Sequence, residues 1–206
     1  IYEYGWYLRG LERWLMDTIE NQDFCAAVLD KMLTFWMNYY TGFMREIGDL
    51  VDVIMIGDDI AGQYGPLFSP VFYRQIVKPR HKRLVSHIKS LTSAKIWYHT
   101  CGACSCYIDD LSDNGVDILN PVQIQAANME PAYLKENFGD KIVFWGGAID
   151  SQHVLPFASP AQVREAVKQN LQIFKPRGGY VFNNVHNIQA GVPAENIVAM
   201  YDAAYE

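Results

Sequence analysis

A histidine and a cysteine, His99 and Cys101, lie two positions apart at the end of an apolar run of the sequence. If that run is a β-strand, side chains at positions i and i+2 leave on the same face, so both can reach one ion. Imidazole and thiolate suit Zn²⁺, which binds four ligands and keeps one position open when it is catalytic. We expect His186, at the end of another apolar run, to be the third ligand. Such a zinc ion would hold an incoming thiol as a thiolate at neutral pH.

A simpler interpretation of these residues stays open, in which His99 is a hydrogen-bonded core histidine and Cys101 a small buried hydrophobic residue. Cys104 and Cys106 follow on the same stretch, but no second CxxC occurs that would complete a structural zinc site. We expect both to pack in the loop after the strand. In the absence of a secretory signal, we expect reduced thiols and a cytoplasmic protein.

Polar residues follow nearly every predicted strand, which simple core packing does not explain. Asp58 and Asp59 are adjacent carboxylates and must point in different directions. Both are candidate catalytic residues, and we expect one to face the pocket and the other to cap the following turn. The candidate substrate-binding residues are Gln63, Asn120, Gln123, Asp150 and Asn183.

The elements that must position these residues alternate between short apolar runs and stretches with helical spacing. The predicted strands are Val51–Gly57, Lys95–Cys101, Ile118–Val122, Ile142–Gly147 and Gly179–Val185. The predicted helices are Leu8–Glu20, Asp23–Ile47, Ser69–Leu91, Tyr107–Asn114, Pro131–Phe138, Ser159–Phe174 and Pro193–Tyr205. His81 and His87 fall on a basic helix and are expected to be solvated surface residues.

This alternation predicts an α/β fold with a parallel sheet. No glycine-rich nucleotide-binding loop follows any strand, which favours a TIM (β/α)8 barrel. Only about the last five β/α units fit in 206 residues, so we treat residues 1–206 as the C-terminal part of one domain. The remaining units are expected upstream of Ile1 or on another chain.

Charge and hydropathy exclude two classes of partner. The net charge of −6 argues against nucleic acid, whose phosphates need a basic face. No apolar run approaches the roughly 20 residues that cross a bilayer.

Several motifs together resemble the uroporphyrinogen decarboxylase superfamily across essentially the whole chain. They are YLRGLERWLMD, DVIMIGDDIAGQYGPLFSP, KPRHKRL, HTCG, GVDILNPVQ, FGDKIVFWGGAIDSQ and GGYVFNNVHNIQAGVPAENIVAMYDAA. The resemblance implies a TIM barrel. Within that superfamily, the sequence is similar to the branch of zinc methyltransferases, which move a methyl group from a corrinoid protein to coenzyme M or a folate.

Those methyltransferases bind zinc with a His-x-Cys pair and a later cysteine. His99 and Cys101 match the pair, whereas the later cysteine falls on His186, which leaves the acceptor open. The resemblance implies zinc, methylcobalamin carried by a partner corrinoid protein, and a small thiol or folate acceptor. Two alternatives stay open: a metal-free uroporphyrinogen decarboxylase, or a non-catalytic barrel subunit of a methyl-transfer complex.

Overall fold

A parallel sheet of five strands forms the centre of the molecule. The computed structural model describes all residues, 1–206. Neighbouring strands in the sheet are also neighbours in the sequence, in the order β1-β2-β3-β4-β5. The strands are β1 (Val53–Gly57), β2 (Lys95–His99), β3 (Ile118–Asn120), β4 (Val143–Trp145) and β5 (Tyr180–Val181). This succession of parallel β/α units confirms the predicted fold class, as part of a TIM-like barrel.

Helices precede, connect and follow these strands. They are α1 (Glu3–Arg9), α2 (Leu11–Glu20), α3 (Gln22–Ile47), α4 (Pro70–Phe72), α5 (Lys78–Leu91), α6 (Ile108–Asp113), α7 (Pro131–Phe138), α8 (Pro160–Phe174) and α9 (Ala194–Tyr205). The start of α8 is fixed by a capping box between Ser159 and Gln162. No helix is both long enough and apolar enough to span a membrane.

Two predicted helices are interrupted. The stretch predicted as Leu8–Glu20 is divided between α1 and α2 by Gly10, whose φ of +81° is incompatible with a continuous right-handed helix. The stretch predicted as Ser69–Leu91 starts as expected with a Ser69 cap, but a π-helical segment, Tyr73–Val77, separates α4 from α5. A π turn offsets the side chains of the following helix, which a uniform helical period does not anticipate.

The strands pack between the helices through their apolar side chains. Ile54, Ile96, Tyr98, Leu119 and Phe144 are buried and belong to one core of 36 buried residues. A second cluster of 8 buried residues joins α8 and α9 to the loop after β4. Burial alternates along β1, so one face of this strand packs in the core while the other, which carries Val53 and Met55, is exposed.

The outer edge of the sheet at β1 has no neighbouring strand. Met55 on this strand is 61% exposed, and the exposed rings of Tyr7, Phe35 and Tyr39 lie on the nearby helices α1 and α3. Parallel strands are normally covered on both faces. The expectation of further β/α units beyond this edge stays a prediction.

Close approach between β1 and β2 requires a glycine. Gly57 is paired in register with His99, at the ends of the two strands. A Cβ atom at Gly57 would lie 2.7 Å from the His99 carbonyl oxygen and 2.9 Å from the His99 Cβ. The absence of a side chain here therefore sets where His99 sits.

Candidate metal centre

His99, Cys101 and His186 meet at the carboxyl end of the sheet. His99 is the last residue of β2, and His186 lies in the loop between β5 and α9. The expectation that Cys101 lies on the strand is wrong, because β2 ends at His99 and Cys101 belongs to the following loop. The two side chains nevertheless approach each other, with the Cys101 Sγ 3.4 Å from the His99 Nε2.

The donor set fits a tetrahedral zinc ion. One ligand atom from each of the three residues can be chosen so that all lie within 4.8 Å of one another. With Zn–N near 2.1 Å and Zn–S near 2.3 Å, two ligands on a tetrahedron are separated by about 3.5 Å. The Sγ–Nε2 distance already has this value. His186 is exposed, so its ring has room to approach the other two ligands more closely.

Asn120, at the end of β3, orients the His99 ring. Its Oδ1 lies 2.7 Å from His99 Nδ1, and its Nδ2 donates to the Trp145 carbonyl oxygen at 2.9 Å. The contact with Trp145 fixes the amide so that Oδ1 faces the ring. His99 Nδ1 must then carry the hydrogen, and the Nε2 lone pair is free for a metal on the Cys101 side.

The prediction that Asn120 binds substrate is not supported by these contacts. Its side chain is buried, and both of its polar atoms are used within the protein. The structure gives Asn120 a positioning role behind His99 instead.

The thiol of Cys101 lies in surroundings that oppose its ionisation. Burial raises the pKa of Cys101 to about 12, and the nearby carboxylates of Asp59 and Glu3 add to the effect. Asp59 is held close because its Oδ1 accepts a hydrogen bond from the Cys101 backbone N–H at 2.7 Å. A thiol of this kind is protonated at neutral pH unless a cation compensates the charge of the thiolate.

His186 is held in the left-handed region of the backbone, at φ +57°. Histidine tolerates this conformation better than most residues, and such positions concentrate at functional sites. The side-chain amide of Asn184 donates to the His186 carbonyl oxygen and stabilises the turn. The turn places the His186 ring 5.4 Å from the His99 ring, centroid to centroid, at an interplanar angle of 62°.

A chain of amide groups lies beside the three ligands. Gln123 Nε2 donates to Gln63 Oε1 at 2.7 Å, and Gln123 Oε1 accepts from the Gly102 N–H at 2.8 Å. Gln63 Nε2 in turn donates to the Gln125 carbonyl oxygen at 3.1 Å. These contacts join three loops of the pocket. Gln63 and Gln123, predicted as substrate-binding residues, thus have structural partners, and Gln123 also lines the cavity described next.

A cavity of about 330 Å³ opens between these loops. Its lining residues are Cys101, Gln123, Gln125, Ser151, Gln152, Val185, His186, Asn187 and Gln189. Gln125 and Asn184 were not predicted. Both lie in loops beyond the ends of β3 and β5, where strand periodicity in the sequence gives no signal for them.

Asp58 faces away from the cavity. Its buried carboxylate lies 2.7 Å from His81 Nε2 and also accepts from the backbone nitrogens of Ile1 and Glu3. The expectation that one aspartate caps the following turn is therefore wrong, because Asp58 reaches back to α1 and α5. Asp59, which contacts Cys101, is the member of the pair at the pocket.

His81 and His87 are not solvated surface residues. His81 is 3% exposed and packs against the rings of Tyr73 and Tyr98. His87 is half-buried, with its Nε2 2.8 Å from the Thr41 hydroxyl. The basic helix hides these residues because its apolar face, not its charged face, carries both of them.

The other predicted residues lie at the margin of the site. Asp150 accepts from the backbone N–H groups of Gln152 and His153, so its carboxylate caps the turn after β4. Asn183 is half-buried and does not line the cavity. Cys104 is buried against Met129, and Cys106 is exposed. Neither of the two cysteines belongs to the three-ligand cluster.

Comparison with known proteins places the chain in a family. The sequence pattern of the family described as Uroporphyrinogen decarboxylase (URO-D) matches residues 5–206. The chain belongs to the uroporphyrinogen decarboxylase family. This confirms the superfamily that the sequence motifs resembled.

The relatives of this chain within the uroporphyrinogen decarboxylase family have low sequence identity to it. Proteins named uroporphyrinogen decarboxylase from Pelobacter propionicus and Ruthia magnifica are each 25% identical, over 174 and 193 residues. These alignments cover 84% and 91% of this chain but 46% and 50% of the relatives. The chain thus spans about half the length of the curated relatives it matches.

A solved structure, a methyltransferase from Methanosarcina mazei, shares the fold with a TM-score of 0.70 at 20% sequence identity. The match covers 95% of this chain and 52% of that structure. The similarity shows the same arrangement of β/α units in both proteins.

Proposed function

We propose that this member of the uroporphyrinogen decarboxylase family is a zinc-dependent methyltransferase, which moves a methyl group between a corrinoid protein and a thiol or folate acceptor. The observation that carries the proposal is the cluster of His99, Cys101 and His186, whose ligand atoms lie within 4.8 Å. A cytoplasmic location is part of the same proposal.

Three residues would hold the ion, and the surrounding chain prepares them for it. Asn120 presents the His99 Nε2 lone pair, and the loop after β2 brings the Cys101 Sγ to 3.4 Å from it. Two imidazoles and one thiolate leave a fourth position for an acceptor. A bound zinc ion supplies a Lewis acid that keeps an acceptor thiol deprotonated near neutral pH.

The transfer step balances with a thiol as acceptor. The thiol proton passes to solvent when the acceptor binds. With a corrinoid protein as the methyl donor, the acceptor sulfur would form the bond to the methyl carbon as the cobalt–carbon bond breaks, and the electron pair of that bond would stay with the corrinoid. Zinc held by Cys101, His99 and His186 would keep the acceptor sulfur at the mouth of the pocket, where a methyl group carried by a docked corrinoid protein would reach it.

Metal analysis of the full-length protein tests the proposal. We expect about one zinc per chain, lost in His99→Ala and in Cys101→Ser, with transfer of the methyl group from free methylcobalamin to a thiol lost in parallel. Cys106→Ser is the matched control, because it removes an exposed thiol outside the cluster. A metal-free wild-type protein that still transfers the methyl group would refute the proposal.

A second candidate is the decarboxylation of uroporphyrinogen, favoured by the names of the curated relatives. In that function pocket groups would bind the carboxylate arms of a tetrapyrrole and protonate a pyrrole carbon without a metal. Incubation of the full-length protein with uroporphyrinogen distinguishes the two, since decarboxylation that is unaffected by a zinc chelator would favour this candidate.

A further inference from the structure

The segment that carries Cys101 is held from both sides, although β2 ends at His99. The Cys101 N–H donates to the carboxylate of Asp59, in the loop after β1, at 2.7 Å. The Gly102 N–H donates to the side-chain oxygen of Gln123, in the loop after β3, at 2.8 Å. Side chains from the two neighbouring loops therefore replace the strand backbone as hydrogen-bond acceptors. They keep Cys101 beside His99 beyond the end of the strand.

The loop after β1 also packs directly against the backbone of Gly102. A Cβ atom at Gly102 would lie 2.5 Å from the Gly62 carbonyl oxygen and 2.8 Å from that of Ala61. The following N–H, that of Ala103, donates to the Gly62 carbonyl oxygen at 2.8 Å. The loop after β1 thus fixes one side of the segment. On the other side of β2 lies β3, and the Gly102 N–H is held there by Gln123.

The orientation of the Gln123 amide is fixed by its partners. A backbone N–H can only donate, so the oxygen of Gln123 must face Gly102 and its nitrogen must face Gln63. The Gln63 nitrogen in turn donates to the Gln125 carbonyl oxygen, which can only accept. The two amides therefore form a chain with one permitted direction. Because Gln123 is buried, loss of its contacts would leave the Gly102 N–H without this acceptor.

We infer that Gln123 is a positioning residue for the metal ligand Cys101, on which it acts through the Gly102 N–H. This inference rests on the proposed function and assigns a further residue to the same site. The Cys101 Sγ lies 3.4 Å from the His99 Nε2, a separation that depends on the course of the loop that Gln123 holds. Asn120 orients the His99 ring in a similar way, so each of these two ligands has its own amide partner.

Replacement of Gln123 by leucine in the full-length protein tests the inference. The protein is titrated with Co²⁺, because the sulfur-to-cobalt charge-transfer absorption reports directly on the bond to Cys101. In Gln123→Leu we expect this absorption to lose at least half of its intensity at saturating cobalt, and the affinity for cobalt to fall about tenfold. Gln63→Leu removes the group behind Gln123 but leaves the contact with Gly102, so it should give a smaller loss in the same direction.

Gln125→Leu is the matched control. The Gln125 side chain lines the same cavity, but it donates to the Ser151 hydroxyl oxygen and does not contact the segment that carries Cys101. Only the backbone carbonyl oxygen of Gln125 belongs to the chain of amides, and the substitution leaves that oxygen in place. We expect this variant to keep the charge-transfer absorption of the wild type and a cobalt affinity within twofold of it.

A purely structural role for Gln123 would give a different result. A Gln123→Leu variant that is less stable to denaturant, but keeps the cobalt affinity and charge-transfer absorption of the wild type, would overturn the inference and leave the proposed metal site intact. If Gln123→Leu does not fold, Gln63→Leu decides, and cobalt binding like that of the wild type would overturn the inference. A wild-type protein that takes up no cobalt or zinc would overturn the proposed function and this inference together.

Discussion

Replacement of Asn120 by leucine tests whether the candidate metal centre is organised in advance. Leucine has a similar shape, but it removes both the 2.7 Å contact with His99 Nδ1 and the 2.9 Å hydrogen bond to the Trp145 carbonyl oxygen. The His99 ring can then rotate and can exchange its hydrogen between the two nitrogens. Loss of a partner that orients a histidine ligand typically lowers metal affinity 10- to 100-fold, or about 1.4–2.7 kcal/mol.

Folding should also be affected, because Asn120 is only 4% exposed and the Trp145 carbonyl oxygen loses its donor. We expect the free energy of unfolding to fall by about 1–3 kcal/mol. The assay is competition for zinc against a chromophoric chelator, on protein shown by circular dichroism to be folded. Asn137→Leu, on the exposed surface of α7, controls for the substitution itself.

Asn120→Asp separates orientation from general loss of stability. Aspartate keeps an acceptor for the His99 N–H and increases the basicity of the ring, so zinc affinity should equal or exceed that of the wild type. The donor to Trp145 is lost in both variants. If folded Asn120→Leu binds zinc as tightly as the wild type, the reasoning about the His99 tautomer is refuted.

Three further predictions concern neighbouring residues. Gly57→Ala should weaken zinc binding at least tenfold and lower the free energy of unfolding by about 1–3 kcal/mol, because the new Cβ would lie 2.7 Å from the His99 carbonyl oxygen. Zinc competition measures the first effect and chemical denaturation the second. Asp58→Ala should lower the free energy of unfolding by roughly 3 kcal/mol, because the buried pair with His81 is lost, and should leave zinc affinity unchanged. A variant that is as stable as the wild type but inactive would instead indicate a catalytic role for Asp58. The pKa of Cys101 is raised to about 12, so zinc must displace the thiol proton when it binds. The apparent zinc affinity should therefore rise about tenfold per pH unit between pH 6.5 and 8.5. An affinity that does not change with pH would contradict binding by the thiolate.

Much of the architecture could be predicted from the sequence because apolar runs and helical spacing report burial directly. The five strands appear in the predicted places, but each is shorter than predicted. Hydrophobic runs continue into loops that are buried by tertiary contacts, as with Val185, and so overstate strand length. The breaks at Gly10 and at the π-helical segment depend on backbone geometry that no periodicity encodes.

The site was predictable in its residue types and less so in its internal contacts. His99, Cys101 and His186 could be chosen because each follows an apolar run and has ligand chemistry. The roles of Asn120 and Asp58 could not be assigned, since the same polar residue at a strand end can face the pocket, a neighbouring strand or a helix. Which direction it takes depends on partners far away in the sequence, such as Trp145 for Asn120 and His81 for Asp58.

The cluster draws its members from distant parts of the chain, with His99 and Cys101 at the second strand and His186 after the fifth. An ion bound by all three would cross-link distant positions of the chain and close a long loop that includes two intervening β/α units. Closure of a long loop removes more conformational freedom from the unfolded chain than closure of a short one. Occupancy of the centre would thus tie the last strand to the rest of the sheet, so that the fold and its chemistry depend on the same three side chains.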